Sequence, residues 1–311
     1  MRFVTATTLD EALVALADGC RPVAGGTDLV VGARNGKNPL PAAVVAIDRI
    51  AELTAFGHGG GGVSIGALVT HATLETDPFV AGHYPGLSDA SALVGSPSTR
   101  HLGTIGGNVM NASPAMDTGA PLQSLGAQVE LMSAARGRRR VALDALWTGP
   151  GRTSAAADEL CVAVIVPEVA ARSSSAYVRL EYRRAMEIAV VGAGASITLA
   201  ADGSIAALAV SLTAVAPTIL AVTGLDSLVG RRPAEALDAV AELASSQAVP
   251  ITDLRATDRY RRHCVGVMAR RAVDAAARRA AGEAFMTLPP MVPTLRVAGE
   301  PTSALASAMA V

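Results

Sequence analysis

The stretch Gly103-Thr104-Ile105-Gly106-Gly107-Asn108, followed by Ala112-Ser113-Pro114 and Asp117, decides how this chain is read. It lies inside a longer segment, Gly95 to Pro121, rich in Gly, Ser, Pro and Asn but threaded with apolar residues, which reads as a functional loop. Upstream stands a second run of the same kind, Ala24-Gly25-Gly26-Thr27-Asp28, at the end of the short apolar stretch Pro22-Val23. Paired glycines let backbone N–H groups crowd around an anion, because no Cβ blocks the approach and positive φ is accessible. Thr27, Thr104, Asn108 and Ser113 add neutral donors, so the two loops can hold a pyrophosphate without a lysine. Asp117 can accept from a sugar-alcohol hydroxyl. A valine at Gly107 is expected to fill the approach and to forbid a positive φ. Either pair alone reads as a tight turn; the two in this order, with these flanks, carry the argument.

Working outward, Thr8 and Glu11 form a capping-box pattern ahead of Leu9, Leu13, Leu16 and Ala17, which repeat at helical spacing until Gly19. Residues 27–31 suit a short helix and Ala43 to Ile47 a buried strand, so the opening reads helix, strand, helix, strand. The glycines from Gly59 to Gly62 turn into a strand at Val63 to Gly66; Thr70 caps a helix, and 85–95 read as another. Strands follow at Gln128 to Met132, Arg140 to Leu143 and Leu160 to Val166. Beyond Pro167 and the small residues Ala170 to Ser175, a three-stranded meander is predicted at Tyr177–Tyr182, Val190–Leu199 and Ile205–Ala214, with Asp202-Gly203 as its hairpin turn. Helices at 233–246 and 257–282 close the chain. In the second, Val265, Met268, Ala269, Val273 and Ala276 share one face, and Arg270, Arg271, Arg278 and Arg279 read as a solvated one.

Composition excludes several classes. Aromatics are only 3%, too few for a base-stacking surface, and the net charge of −1 offers no field for nucleic acid or anionic lipid. No apolar run approaches the roughly 20 residues of a spanning helix. No signal peptide is visible, and Cys20, Cys161 and Cys264 are far apart, so a cytoplasmic location is expected. Neither the cysteines nor the five histidines have ligand spacing, so the chain should carry no metal or cluster of its own.

The order Ala24-Gly25-Gly26-Thr27-Asp28-Leu29, Ile65-Gly66-Ala67, Gly103 to Asn108, Ala112-Ser113-Pro114 and Asp117 resembles the FAD-binding medium subunit of molybdenum hydroxylases, the xanthine and carbon monoxide dehydrogenase family. The resemblance runs on through Asp158-Glu159-Leu160, Arg183 to Ala189, Leu254-Arg255-Ala256 and Tyr260-Arg261-Arg262, and so covers about residues 1–282. It implies an α+β fold: a two-lobed vanillyl-alcohol-oxidase-like FAD domain (1–55 and 56–170), a smaller α/β domain (171–285) and a tail (286–311). It implies FAD contacts at Pro22, Val23, Ala24, Gly25, Gly26, Thr27, Asp28 and Leu29, and at Thr104, Ile105, Gly106, Gly107 and Asn108. Further contacts follow at Ala112, Ser113 and Asp117, and at Val94, Gly95, Cys161 and Arg179. It also implies partners: a molybdopterin-binding large subunit and a [2Fe–2S] small subunit, whose electrons the flavin passes to NAD or another acceptor. The Gly-Gly motifs contain no His or Cys, so the FAD should be non-covalent.

Three positions depart from the family pattern. Arg179 replaces a frequent lysine, His101 a frequent asparagine, and Ala216 to Ala221 lacks an expected Pro-x-Arg. A self-sufficient flavin oxidase of the same superfamily would need a base above the ring, and the C-terminal part is poor in His and Tyr. A scaffold that had lost its flavin would not need the paired glycines. Gly192-Ala193-Gly194 lacks the third glycine and the acidic residue of a dinucleotide fingerprint and reads as a bulge or a close backbone approach, so Gly194→Ala is expected to spare ligand binding. Gly32 to Lys37 fails as a P-loop on spacing and on Asn38. Arg138-Arg139-Arg140 reads as a solvated hairpin.

Overall fold

The computed structural model describes residues 1–36, 39–58, 61–183 and 185–287. The failed P-loop's Lys37 and Asn38, Gly59 and Gly60 of the glycine run, Arg184 and the tail from 288 lie outside them.

The first lobe is built on a small parallel sheet in the order β1-β3-β2, from β1 (Arg2–Thr5), β2 (Arg21–Val23) and β3 (Ala43–Ala46). Helix α1 (Leu9–Ala17) covers it, and Thr8 and Glu11 close the expected capping box. Strand β1 is the element the sequence reading lacked: it precedes the capping box, and its four residues are too short for periodicity to register. Helix α2 (Thr27–Arg34) buries no residue at all.

The second lobe pairs β4 (Phe56–His58), β5 (Gly62–Gly66), β6 (Gln128–Ser133), β7 (Gly137–Ala142) and β10 (Leu160–Pro167) in the order β4-β5-β10-β6-β7. Between β5 and β6 run six short helices: α3 (His71–Thr76), α4 (Pro78–His83), α5 (Pro85–Ser91), α6 (Pro97–Leu102), α7 (Ile105–Asn111) and α8 (Gly119–Ser124). The supposed loop Gly95 to Pro121 is therefore largely helical. Each helix in it spans six or seven residues, too short to show a 3.6-residue period, and the Pro, Ser and Thr residues start helices there: Ser96 and Thr104 are N-caps and Pro97 sits in a first turn. The turn α9 (Leu143–Leu146) and the hairpin β8 (Trp147–Gly149) and β9 (Arg152–Thr153) complete the lobe.

Strand β10 serves two cores. Leu160 and Val162 pack in the first lobe's core, while Cys161, Val164 and Val166 pack in the second's. Strict alternation cannot place Cys161 and Val164 on one face, but a bulge between Cys161 and Ala163 flips the parity.

The C-terminal sheet is the predicted antiparallel meander, β11 (Ser173–Leu180), β12 (Val191–Leu199) and β13 (Ile205–Thr213), extended by the two-residue β14 (Leu220–Ala221). Helices α10 (Pro233–Gln247) and α11 (Asp258–Ala280) pack on it around a third core. On α11, Arg270 and Arg271 are exposed as expected, but Arg279 is not solvated: it reaches Asp89 on α5 at 2.7 Å, with both side chains mostly enclosed. The decoy Gly192 and Gly194 sit in β12 at close approaches. A methyl at Gly194 would lie 2.6 Å from the Ala120–Pro121 backbone of α8, and one at Gly192 would lie 2.4 Å from the Tyr177 hydroxyl. The exposed arginines of β7 pair with Glu130 and Glu159.

Candidate active site: two glycine loops and a buried ion pair

The two Gly-Gly motifs, some 80 residues apart in sequence, meet back to back. A methyl on Gly25 would come within 1.7 Å of the Leu102 carbonyl oxygen, so only glycine lets the first loop touch the junction of α6 and α7. Gly103 faces Thr27 of the first loop and the ring of His71. The 66–71 segment fixes this junction from below: Ile105 N–H donates to the Val69 carbonyl, Gly106 N–H to that of Ala67, and His71 N–H to that of Gly103. Thr70 and Thr104 form an isolated antiparallel bridge.

The amides of the two loops have different fates. Around α7 they are consumed internally: besides the bonds of Ile105 and Gly106, Gly107 N–H donates to Thr104 Oγ1 at 3.1 Å and Asn108 N–H to the Thr104 carbonyl at 2.9 Å. The second loop is thus a brace, with Gly107 as its exposed surface. Gly107 is helical rather than left-handed, so the expected φ argument does not hold there; its missing side chain matters because it leaves the surface open. The first loop is the reverse. Gly26 takes a φ of 68° as the N-cap of α2 and has no side chain to accept from the first turn, so no side chain caps it. The N-cap thus supplies no side-chain acceptor to the first turn of α2, which carries one acidic residue, Asp28.

The polar centre lies where the second lobe meets the C-terminal sheet. Asp117 is buried; its Oδ1 accepts from the Tyr177 hydroxyl at 2.8 Å and its Oδ2 from Arg179 Nη1 at 2.8 Å. Arg179 is wholly enclosed and donates through Nε to Glu181 at 2.6 Å. Glu181 Oε2 also lies 2.5 Å from Nη2, but off its N–H directions, so Nη2 is a buried donor without a hydrogen-bond acceptor among the described residues. Burial drives the Asp117 carboxyl up to about 6, against the pull of Arg179 and the Tyr177 hydroxyl. Burial and the adjacent Asp117 push the Tyr177 phenol well above its ordinary value.

This centre is tied to the loops. Thr118 donates to Asn108 Oδ1 at 2.6 Å, which links Asp117's neighbour to α7. Met186 N–H donates to the Gly95 carbonyl at 2.9 Å, and Arg179 Nη1 is 3.5 Å from the Glu187 carbonyl, so the 185–189 segment folds over both.

Of the residues expected to contact cofactor, Pro22, Val23, Ala24, Gly25, Gly26, Thr27 and Leu29 are half-buried around the first loop, and Asp28 is exposed. Thr104, Gly106, Gly107 and Asn108 lie at the second loop, with Val94, Gly95 and Ser113 half-buried nearby in sequence. Ile105, Ala112 and Cys161 instead put their side chains into the second lobe's core. The Cys161 thiol is pushed up to about 12 by burial, which makes it an inert packing group. Sequence reasoning missed Tyr177 and Glu181. Both lie two residues from Arg179, and the period of two along the predicted strand carries Tyr177 to the same face. It also missed His71 and Arg100, buried beneath the loop junction, for which a helical repeat this short gave no signal.

The sequence compares directly with known proteins. Residues 1–169 match the family described as the FAD binding domain in molybdopterin dehydrogenase, and residues 153–276 match the CO dehydrogenase flavoprotein C-terminal domain. The carbon monoxide dehydrogenase medium chain of Afipia carboxidovorans is 32% identical over 86% of this chain and 92% of its own length. The putative xanthine dehydrogenase FAD-binding subunit of Escherichia coli is 29% identical over 89% and 96%. A chain of the Cu,Mo-CO dehydrogenase crystal structure superposes with a TM-score of 0.85 at 31% identity, covering 90% of this chain and 98% of that one. A chain of quinoline 2-oxidoreductase from Pseudomonas putida gives 0.81 at 28% identity.

Proposed function

Since this chain belongs to the family of FAD-binding subunits of molybdopterin dehydrogenases, we propose that it holds FAD non-covalently and relays electrons from [2Fe–2S] clusters on a partner subunit to NAD or another acceptor. The molybdopterin and the substrate pocket belong to a large subunit, and the clusters to a small one. The observation that carries this reading is the back-to-back seating of the two glycine loops, with an uncapped helix turn on one and the open Gly107 on the other.

The residues fit the cofactor. The first turn of α2 offers donors to a pyrophosphate, and Gly107 leaves room beside them. Asp117 keeps a second lone pair on each oxygen for a ribityl hydroxyl. Arg179, enclosed behind Asp117, fixes a positive charge at that carboxylate. The flavin supplies the redox chemistry; the protein binds it, shields it from water and sets its electrostatics. Among the described residues no cluster of His, Cys, Asp or Glu could hold a metal, and no helix is long and apolar enough to cross a membrane. The test is the absorption spectrum of the purified chain after addition of FAD, followed by denaturation. A bound flavin that is released intact on unfolding is expected. A folded chain that takes up no flavin would overturn the reading.

A further inference from the structure

We propose that the turn formed by residues 249–262, with residues 182–183 and 185–190 pinned against it, is the docking surface for a subunit that presents carboxylates around an apolar centre. The inference goes beyond the FAD reading and rests on the proposed function only for the existence of a complex. Of the exposed large apolar side chains among the described residues, Tyr182, Ile188, Val249, Ile251, Leu254 and Tyr260 gather here, where α11 begins, and Leu254 is fully exposed. Bonds between the two stretches make them one surface. The Tyr182 hydroxyl donates to the Arg255 carbonyl, and Arg261 Nη1 donates to the Val190 carbonyl. The turn is itself closed: Arg261 Nη2 donates to Asp253 at 2.7 Å, the Thr252 hydroxyl to Asp258 at 3.0 Å and Arg262 Nε to the Ala248 carbonyl at 3.4 Å. The Asp253 carboxylate also accepts from the Arg255 and Ala256 amides. The backbone is thus tied down while the apolar side chains stand outward, so their exposure is built into the turn.

Charge selects the occupant. Arg183, Arg255, Arg259 and Arg262 surround the apolar side chains and are exposed or half-exposed. The carboxylates among them are already engaged: Asp253 by Arg255 and Arg261, Glu187 by Arg183 at 3.5 Å, and Asp258 by the Thr252 hydroxyl. Arg259 and Arg262 make no ion pair among the described residues. The surface is therefore locally basic on a chain whose net charge is −1. Tyrosine and arginine around an apolar centre is the composition of interface hot spots. A second copy of the chain fits badly, since an isologous contact sets one basic rim against another. The chain's own segment 288–311 fits badly as well. Its charged side chains, Arg296 and Glu300, cancel, and it leaves from the far end of α11. That helix has 23 residues and is about 34 Å long. A partner with an acidic rim meets both the apolar centre and the unpaired arginines.

The test is amide hydrogen exchange of the FAD-loaded full chain, alone and in the complex purified under mild conditions. Residues 185–190 and 249–262 are expected to exchange more slowly in the complex. Leu254→Asp, at a side chain exposed in the chain alone, should weaken assembly by about tenfold or more and leave FAD content unchanged. Arg259→Glu should weaken it too, Arg259→Lys should preserve it, and added salt should weaken the wild-type complex. Unchanged exchange at both stretches in an intact complex, or Leu254→Asp chains that assemble like wild type, overturns the inference and leaves the FAD reading standing. So does assembly that strengthens with salt. Slowing that grows with the concentration of the isolated chain assigns the surface to a second copy, and faster exchange after truncation beyond Thr287 assigns it to segment 288–311; either result overturns the inference. A chain that assembles with no other subunit overturns both this inference and the relay reading.

Discussion

At the scale of single residues, two glycines that look alike in sequence do different work. Gly25 is excluded from any side chain by the Leu102 carbonyl at 1.7 Å, whereas Gly107 meets only Thr104 Oγ1 at 3.0 Å. Gly25→Ala should therefore lower the melting temperature and flavin retention together. Gly107→Val should leave the fold intact, since a β-branched residue is no worse than glycine in a helix, and should weaken FAD binding by tenfold or more. Calorimetry and fluorescence titration on the same preparations separate the two effects; equal melting losses would place both glycines in packing. His71 supplies a pH-dependent counterpart. Burial and the nearby Arg100 hold its imidazole down at about 4, against an ordinary 6.5. The native state then binds the proton less readily than the unfolded chain. Stability is intact above pH 6.5 and falls as the pH drops from 6.5 towards 4, by up to about 3 kcal/mol. His71→Phe should lack that component of acid destabilisation. Asp117 works with the opposite sign: its raised carboxyl costs stability above pH 6, and that cost is relieved as the pH falls through 6 towards the unfolded value. Denaturant midpoints measured at half-unit steps between pH 4 and 7.5 resolve the difference, and identical slopes for wild type and His71→Phe would show that His71 does not titrate as buried.

Among the elements, legibility tracked length and regularity. The long helices α10 and α11, the capping box of α1 and the meander strands were readable because their periods repeat several times. The chain of helices from α6 to α8 was not, because each is one or two turns long and is specified by caps and by contacts with the 67–71 segment, β10 and the C-terminal sheet. The site was legible as a pair of loops, since paired glycines are a local signal. That α2 and not α7 carries the uncapped turn was invisible, because it depends on Ala67 and Val69 capturing the amides of 105 and 106. Gly192 and Gly194 show the same limit. The sequence excluded a nucleotide fingerprint and suggested a close approach, but not that the neighbour is the backbone of α8. Gly194→Ala is consequently no neutral control: with 2.6 Å to Ala120 and Pro121 it should cost about 1–3 kcal/mol in thermal unfolding. The α5–α11 contact adds a second test. Asp89 accepts from Arg279 at 2.7 Å and from Tyr177 N–H at 3.1 Å. Arg279→Ala leaves that carboxylate enclosed and unpaired, at a cost of about 3–5 kcal/mol. The double variant Arg279→Ala, Asp89→Ala should recover part of the loss, and a strictly additive cycle would deny the coupling.

For the whole molecule, the arrangement divides labour in a way that fits a relay better than an independent catalyst. Three hydrophobic cores support one polar centre, at which the titratable side chains are tied to one another. Asp117, Tyr177, Arg179 and Glu181 bond to one another across the junction of the second lobe and the C-terminal sheet, and among the described residues no histidine joins them. Such a network can set the charge around a flavin, and its two carboxylates are already engaged with Arg179 and the Tyr177 hydroxyl. The chain nevertheless displays apolar surface. Helix α2 buries nothing, with Val30 and Val31 about half exposed, and Leu102 stands out at the loop junction. Exposed apolar side chains beside the two glycine loops suit contact with a partner subunit. The expected outcome is therefore that the chain purified alone, though loaded with FAD, turns over no aldehyde, purine or other heterocyclic substrate with an artificial acceptor. Purified under mild conditions from its native source, it should carry molybdenum and iron in fixed proportion to FAD, and substrate should then bleach the flavin. Adding NAD to the reduced complex would identify or eliminate that acceptor directly. A metal-free chain that oxidised an organic substrate by itself would contradict the division of labour, and the base it used would then have to be sought outside the Asp117–Arg179 centre.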